Sequence, residues 1–302
     1  RTKIVGKIPK EKHAEYIDRV RYEIGVILNV GLEGYFLVVQ DILAWAKNQG
    51  WLLGEARGSS AGSLVAYLIN ITEVDPIKYN LLWTRFYNEG RVQPGKVSLP
   101  DIDSDVPVNK RGLIIDYIFQ KYGDDKVAHM ITLGRNQGRS ALKDVLRAKE
   151  RCSYDEMNKI TDNIPDEAKI AGELQEMREL GEDTSIILWA LKNNANKLKP
   201  WCFIDDKNEF HGDYSKDFQQ AIRLEGLKRQ TGKHASGIVL SNSPIEEFAP
   251  LCHDKSSDKL MVGLEMNESE ACGLVKIDIL GSMVLDDLMN CVSIINTGDY
   301  ND

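Results

Sequence analysis

Apolar residues recur at helical spacing through the first fifty positions of the chain. Between residues 11 and 29 they follow one another at intervals of three and four, which predicts an amphipathic helix. The apolar positions of this helix are Ile17, Val20, Ile24 and Ile27. After a break at residues 30–34, a second helical pattern occupies residues 35–47. Its apolar positions are Phe36, Val39, Ile42, Leu43 and Ala46.

Helical and strand-like patterns then alternate. Residues 64–71 and 110–122 have helical patterns, and residues 127–133 form a continuous apolar run that is typical of a buried strand. Gly134 then opens a further helix, which we expect to extend to about Arg151. The first half of the chain therefore combines helices with at least one buried strand.

The character of the sequence changes at Cys152. From there to about Ile222, polar helical segments are separated by proline and glycine, as in an inserted helical subdomain. Strand character returns at residues 237–241, 259–265 and 273–280. The pattern predicts an α+β fold in three parts, with the boundaries 1–151, 152–222 and 223–302.

Composition narrows the class of protein. The 302 residues are 42% hydrophobic and 28% charged, which is typical of a soluble globular protein. No apolar run reaches the roughly 20 residues that a membrane helix requires, and no secretory signal is visible. The five cysteines are widely spaced, which favours reduced thiols in the cytoplasm over a disulfide framework or a zinc site.

The chain is acidic overall, but its basic residues are concentrated in one segment. A net charge of −8 argues mildly against binding to nucleic acid, because phosphate backbones attract cations. However, residues 126–151 contain seven basic side chains and only two acidic ones. This basic segment is compatible with binding to a polyanion, although a solvated helix face would have the same composition.

Two aspartates one residue apart are the first candidate for chemistry. Asp101 and Asp103 fall on the strand-like segment 97–103, where alternate side chains point to the same side. Paired carboxylates repel each other, so such a pair often holds a cation, and hard oxygen ligands suit Mg²⁺. The alternative is a solvated acidic turn that continues into Asp105.

Two further segments carry candidate chemistry. The small-residue segment Arg57–Ser63 precedes an apolar helix, which predicts a phosphate site at a helix N-terminus, although a simple tight turn is the alternative. Asp278 shares a strand face with Lys276. It is either a third metal ligand or one partner of a local salt bridge, and spacing alone does not distinguish these.

Five motifs occur along the chain in a fixed order, and this order is more informative about the class of protein than any single motif. They closely resemble the palm of the bacterial replicative DNA polymerases of family C, the α subunit of DNA polymerase III and its relatives. The resemblance runs from about Tyr16 to Leu288 and is weakest at 152–222, where the family places its thumb. The motifs occupy residues 34–39, 57–67, 99–103, 232–239 and 275–281.

The resemblance implies a nucleotidyltransferase palm, similar to that of the polymerase β group, with an inserted helical thumb. It implies that Asp101, Asp103 and Asp278 are the catalytic carboxylates and bind two Mg²⁺ ions, with Mn²⁺ as a possible substitute. Gly58 and Ser59 match the small-residue motif of the palm. The implied reaction is template-directed addition of deoxynucleotides to a primer 3′-hydroxyl.

Basic residues complete the set that the resemblance implies. Arg57, Arg85 and Lys276 match palm positions near the triphosphate. The positions expected to contact the primer–template backbone are Arg139, Lys143 and Arg147. The implied partners are primer–template DNA, deoxynucleoside triphosphates, and the remaining polymerase domains (fingers and PHP) or replisome subunits.

The sequence also departs from the family pattern. Glu55 and Ala56 stand where the family usually has Pro-Gly, and Ser60 and Ser236 stand where it often has Gly. Residues 92–96 look like a small insertion. These differences affect the expected conformation of the loop, whereas the three aspartates are unaffected.

The 302 residues do not accommodate the PHP, fingers and OB-fold domains of the family, so we expect a palm–thumb fragment or one piece of a split polymerase, with weak or no activity by itself. Two alternatives belong to other functional classes. One is a non-catalytic DNA-binding or assembly module with a degenerate palm, against which the intact aspartates argue. The other is a non-templated nucleotidyltransferase, which would need neither the basic helix nor a thumb.

Overall fold

A six-stranded mixed sheet forms the centre of the first of two structural units. The computed structural model describes residues 8, 10–88, 90, 99–254 and 259–297. The first unit contains the chain up to residue 132 and again from residue 233, and the second unit contains residues 133–232. The combination of helices with this sheet confirms the predicted α+β class.

The helices of the described residues, which we number in chain order, account for most of the regular structure. They are α1 (His13–Asn29), α2 (Glu33–Asn48), α3 (Leu64–Leu68), α4 (Trp83–Phe86), α5 (Val108–Tyr122), α6 (Gly138–Ala148), α7 (Tyr154–Thr161), α8 (Ala171–Glu179), α9 (Ile186–Asn193), α10 (Ala195–Leu198), α11 (Ser215–Leu224), α12 (Met266–Ala271) and α13 (Met283–Thr297). Short 3₁₀ turns include Gly58–Gly62, which immediately precedes α3.

The strands are β1 (Ser104–Pro107), β2 (Val127–Arg135), β3 (Phe203–Ile204), β4 (Phe210–His211), β5 (Lys228–Leu240), β6 (Leu251–His253), β7 (Leu260–Val262) and β8 (Val275–Ser282). The large sheet has the order β1-β8-β5-β2-β7-β6, and β3 pairs with β4 in a separate hairpin. Strand β8 pairs in parallel with β1 and antiparallel with β5. This arrangement places β8 beside the segment that follows Asp103.

The first two helices form as predicted, but the predicted apolar face of α1 is buried only in part, at Ile27. Ile17 and Ile24 are 41% and 42% exposed. The buried face instead contains Tyr16, Val26, Ile27 and the carboxylate of Glu23. The prediction was wrong because it counted only apolar positions, whereas a buried ionisable residue lies at the centre of this face.

The predicted strand at residues 97–103 is also wrong in its position. Residues 97 and 98 lie outside the described residues, and the strand begins only at Ser104. The N–H of Ile102 donates to the hydroxyl of Tyr35 instead of to a strand partner. Burial nevertheless alternates along this segment: Ile102 and Ser104 are buried, whereas Asp101 and Asp103 are not.

Strand β2 is longer than predicted, and the helix after it begins later. Gly134 belongs to the strand, which ends at Arg135, and α6 starts at Gly138. The small insertion predicted at residues 92–96 lies outside the described residues. Among the described helices, none is long and apolar enough to cross a bilayer by itself. Lys10–Asn29 and Glu33–Asn48 meet that criterion only as a pair, bent by 111°.

The second unit is helical and has its own apolar core. Leu142, Val145 and Leu146 of α6 share this core with Phe218 and Ala221 of α11. The unit therefore contains the predicted insertion, residues 152–222, together with α6, which the sequence had grouped with the preceding part. Shared burial between α6 and α11 explains why the unit begins earlier than the change in sequence composition.

Candidate active site

The three predicted carboxylates belong to neighbouring parts of the sheet. Asp101 and Asp103 lie just before β1, and Asp278 lies in β8, the strand that pairs with β1. Burial raises the pKa of Asp103, and the charges of Asp278 and Asp101 raise it further. The carboxylates therefore share one electrostatic environment, which an added positive charge would stabilise.

Two cationic side chains already contact these carboxylates. Lys276 Nζ is 2.7 Å from Asp278 Oδ2, and the two side chains are only 14% and 12% exposed. Arg57 Nη1 donates to Asp105 Oδ1 at 3.1 Å, and its Nε lies 3.7 Å from Asp103 Oδ2. Both cations act to lower the pKa of Asp103. The local salt bridge considered for Lys276 and Asp278 is therefore present.

Asp105 is a residue of this site that sequence reasoning treated only as part of an acidic turn. Its carboxylate accepts from Arg57, and its backbone carbonyl accepts from the N–H of Gly54 at 2.9 Å. A Cβ on Gly54 would lie 2.8 Å from the Cβ of Asp105, so the two segments approach too closely for any larger residue. Through these two hydrogen bonds, Asp105 connects the loop that contains Arg57 to strand β1.

Tyr35 is a second residue that sequence reasoning missed. Its hydroxyl accepts the N–H of Ile102 at 3.1 Å, in the segment between the first two aspartates. Burial raises the pKa of Tyr35 well above its usual range, so the phenol stays protonated. Tyr35 belongs to the first of the five motifs, and that motif was the only sequence signal for it.

Strand β5 brings two more polar residues to Asp278. Gly237 stands opposite Asp278 in the strand pairing, and Ser236 Oγ is 3.4 Å from Asp278 Oδ1. The ring nitrogen Nδ1 of His234 accepts the N–H of Gly237 at 2.7 Å. Burial lowers the pKa of His234, and the charge of Lys276 lowers it further. His234 is therefore a hydrogen-bonded structural side chain.

The small-residue loop differs from the expected phosphate site. A carboxylate already occupies the N-terminus of α3: the N–H groups of Leu64 and Val65 donate to Glu23 at 3.0 and 2.9 Å. Ser63 Oγ also donates to Glu23, which is fully buried. This helix N-terminus therefore has no free donors for a phosphate, and the expectation based on it was wrong.

The loop nevertheless contributes to an open cleft. The cleft has a volume of about 550 Å³ and is formed by two chain segments, residues 58–62 and 80–85. Three of the predicted nucleotide-binding residues line it together: Gly58, Ser59 and Arg85. The other two, Arg57 and Lys276, contact the carboxylates instead.

In the second unit, the three predicted DNA-binding residues lie on α6 with the expected spacing of four. Arg139 Nη2 donates to the carbonyl of Ile164 at 2.9 Å, and Lys143 Nζ donates to Asn158 Oδ1 at 2.9 Å. Arg147 is 62% exposed and lies 3.9 Å from Asp144. Two of the three side chains therefore also stabilise the unit itself.

The positive charge of the basic segment is partly neutralised within the second unit. Lys149 Nζ and Arg151 Nε contact the two carboxylate oxygens of Asp217 at 2.8 and 3.1 Å. Asp217 is 3% exposed. A count of charges along the sequence therefore overstates the positive charge that is available to a ligand.

Within the described ranges, one group of three potential ligand atoms lies within 4.8 Å of one another: Asp205, Glu209 and His211, at the β3–β4 hairpin. The aspartates at 101, 103 and 278 do not form so tight a group. Their donor set nevertheless suits a hard divalent cation, because all three offer carboxylate oxygens and their electrostatic environment is short of positive charge.

Comparison with known proteins identifies the family. The family model described as bacterial DNA polymerase III alpha NTPase domain matches residues 1–281. DNA polymerase III subunit alpha from Borreliella burgdorferi is 37% identical over 280 residues, which are 93% of this chain. The same subunit from Pseudomonas aeruginosa is 34% identical over 285 residues, and that from Aquifex aeolicus is 36% identical over 282 residues.

The chain belongs to the bacterial DNA polymerase III alpha family, which confirms the resemblance inferred from the five motifs. It spans only about a fifth of its relatives: the matches cover 94%, 93% and 91% of this chain but 22%, 22% and 23% of the proteins from Pseudomonas aeruginosa, Borreliella burgdorferi and Aquifex aeolicus.

Proposed function

We propose that this chain provides the catalytic palm and the thumb of a template-directed DNA polymerase. In the reaction, the 3′-hydroxyl of a primer attacks the α-phosphate of a deoxynucleoside triphosphate, the new phosphodiester bond forms, and pyrophosphate leaves. One observation carries the proposal: Asp101, Asp103 and Asp278 share one electrostatic environment at the paired strands β1 and β8. The palm would be residues 1–151 and 223–302, and the thumb would be residues 152–222.

Asp101, Asp103 and Asp278 would hold two divalent ions, with Mg²⁺ as the expected metal and Mn²⁺ as a substitute. Bound divalent ions supply Lewis-acid stabilisation of the attacking and leaving oxygens. The rest of the catalysis is positioning and charge stabilisation by the protein. Tyr35 and Ser236 support this arrangement, because Tyr35 holds the backbone between two of the ligands and Ser236 contacts the third.

Basic and small residues would bind the triphosphate. The cleft lined by Gly58, Ser59 and Arg85 is open, and the guanidinium group of Arg85 would pair with the phosphates there. Arg57 and Lys276 would neutralise charge next to the carboxylates, where they already form ion pairs. In the second unit, the exposed side of α6 with Arg147 would contact the phosphates of the primer–template.

The test is primer extension by this chain joined to the remaining polymerase domains. Asp101→Asn and Asp278→Asn should each reduce templated incorporation by about 100- to 1,000-fold, because each removes a charge from the reacting centre. Asp124→Asn is the matched control, since Asp124 is 79% exposed and forms a surface salt bridge with Lys259. The control should keep full activity.

The outcomes separate the proposal from its rivals. Retained extension by Asp101→Asn would overturn the assignment. Labelling of DNA ends without a template would indicate a non-templated nucleotidyltransferase. Binding of primer–template by the wild type without any incorporation would indicate a non-catalytic DNA-binding module.

A further inference from the structure

A half-buried arginine connects the two segments that form the cleft. Arg19 in α1 donates from Nη2 to the carbonyl of Gly62 at 2.9 Å and to the carbonyl of Leu81 at 3.4 Å. Gly62 and Leu81 lie in the two different segments that line the cleft. One guanidinium group therefore spans both segments.

Glu23 holds this guanidinium group in place. Arg19 Nε donates to Glu23 Oε1 at 2.6 Å. The same carboxylate accepts from Ser63 Oγ and from the N–H groups of Leu64 and Val65, so the end of the small-residue loop is fixed as well. Glu23 is fully buried, and breaking a buried ion pair of this kind is costly.

The two segments that form the cleft contact each other closely at Gly62. A Cβ on Gly62 would lie 2.7 Å from the carbonyl oxygen of Leu82, so the two segments touch at this point. Only glycine permits this approach. Arg19 bonds the carbonyls next to this contact, which makes it the residue best placed to set the width of the cleft.

We propose that Arg19 is a positioning residue for the triphosphate, with Glu23 as its anchor. The proposal rests on the proposed function, because it assigns the cleft to a nucleoside triphosphate. Arg19 acts through the backbone at Gly62 and Leu81, and it sets the spacing between the segment with Gly58 and Ser59 and the segment with Arg85. Small displacements at such a site can cost about 100-fold in rate.

Arginine is required here because its rigid fork bonds Glu23 and two carbonyls at once, whereas lysine offers a single ammonium group. Arg19→Lys keeps the positive charge beside Glu23 but loses the connection between the two segments. It therefore separates the positioning role from the role of balancing a buried charge.

The experiment is an NMR titration of the 302-residue chain with dATP and Mg²⁺, which measures weak binding and locates it on the backbone. In the wild type, the amide signals of Gly58, Ser59 and Gly62 should shift in a saturable way. In Arg19→Lys, the dissociation constant should rise at least about tenfold, while the melting temperature changes little.

The matched control is Lys47→Arg. Lys47 also joins a carbonyl, that of Asn70 at 2.8 Å, to a carboxylate, that of Glu73 at 2.5 Å, and it lies outside the cleft. This control should bind dATP within about twofold of the wild type. Ser63→Ala is a milder second variant, because it leaves Arg19 in place and removes one donor to Glu23 together with the N-cap acceptor for the N–H of Ala66. It should weaken binding about threefold.

The results distinguish two failures. If the wild type binds and both Arg19→Lys and Ser63→Ala bind equally well, Arg19 has only a structural role and this inference is wrong. If the wild type shows no saturable shift in the cleft, the assignment of the cleft to a triphosphate fails, and the positioning role fails with it.

Discussion

The hydroxyl oxygen of Tyr35 accepts a hydrogen bond from the backbone N–H of Ile102 at 3.1 Å. Ile102 separates Asp101 from Asp103, so a side chain from helix α2 fixes the backbone between two proposed metal ligands. Both Tyr35 and Ile102 are buried. The position of the carboxylates therefore depends on one specific hydrogen bond between residues that are far apart in sequence.

This relationship predicts the effect of Tyr35→Phe. The change removes the acceptor and leaves the N–H of Ile102 buried and unpaired, which costs about 1–3 kcal/mol. We expect the free energy of unfolding, measured with urea, to fall by this amount, and templated incorporation to fall as well. Tyr22→Phe is a suitable control, because Tyr22 is a tyrosine in the same unit that is 50% exposed. Equal stability and activity of Tyr35→Phe and the wild type would show that this hydrogen bond is unimportant.

The stability of the chain should depend on pH through His129. This residue is 4% exposed and its ring lies 5.5 Å from that of Phe119. Burial lowers the pKa of His129 to about 4, and the charge of Lys233 contributes to this shift. The folded state therefore favours the neutral ring, so its contribution to stability is complete above pH 6.5 and is lost as the pH falls through about 4.

The expected loss is about 3 kcal/mol between pH 7 and pH 4. His129→Leu removes the titrating group at similar volume. Urea unfolding of both proteins at several pH values should show a smaller loss of stability on acidification for the variant. Parallel pH profiles for the two proteins would contradict the assignment of this loss to His129.

The proposed DNA-binding surface on α6 predicts a particular dependence of binding on salt concentration. Replacing Arg139, Lys143 and Arg147 by Ala should weaken primer–template binding with little dependence on sequence. It should also flatten the log–log salt dependence by about one unit for each lost phosphate contact. Fluorescence anisotropy at several salt concentrations measures both quantities.

Two of these residues also have structural contacts, so the single variant Arg147→Ala is the cleaner test. Arg147 is 62% exposed, and its deletion should reduce affinity with no loss of stability. Lys192→Ala, at an exposed basic position on α9, is the control. Unchanged affinity and salt slope in both the triple and the single variant would make α6 an ordinary solvated surface.

Local patterns predicted those parts of the fold in which neighbouring residues determine the structure. The helical spacing of Phe36, Val39 and Ile42 correctly predicted the buried face of α2, because all its buried residues except Tyr35 have purely apolar side chains. Period-two alternation likewise predicted that Asp278 and Lys276 share one face of β8, and Ile277 and Ile279 are buried on the opposite face. The order of the motifs predicted the family.

Contacts between distant residues were not predictable in this way. Glu23 bonds Leu64, which is 41 positions away, and Tyr35 bonds Ile102, which is 67 positions away. In the second unit, Glu225 is half-buried and accepts the N–H of Gly138 at 2.8 Å. In each case a polar side chain accepts a hydrogen bond from a backbone N–H group that is far away in the sequence. The spacing of hydrophobic residues does not predict such hydrogen bonds.

Mn²⁺ titration of the 302-residue chain, followed by NMR, measures whether Asp101, Asp103 and Asp278 bind metal together. Bound Mn²⁺ broadens the signals of nearby amides, and Mn²⁺ replaces Mg²⁺ at carboxylate sites. The variant His211→Ala, used as the background for all measurements, removes interference from the cluster at Asp205, Glu209 and His211. We predict selective broadening at Ile102, Ser104 and Ile279 that disappears in Asp278→Asn and persists in Asp124→Asn. If these residues show no broadening, or if the broadening is unchanged in Asp278→Asn, the three aspartates do not form a shared metal site.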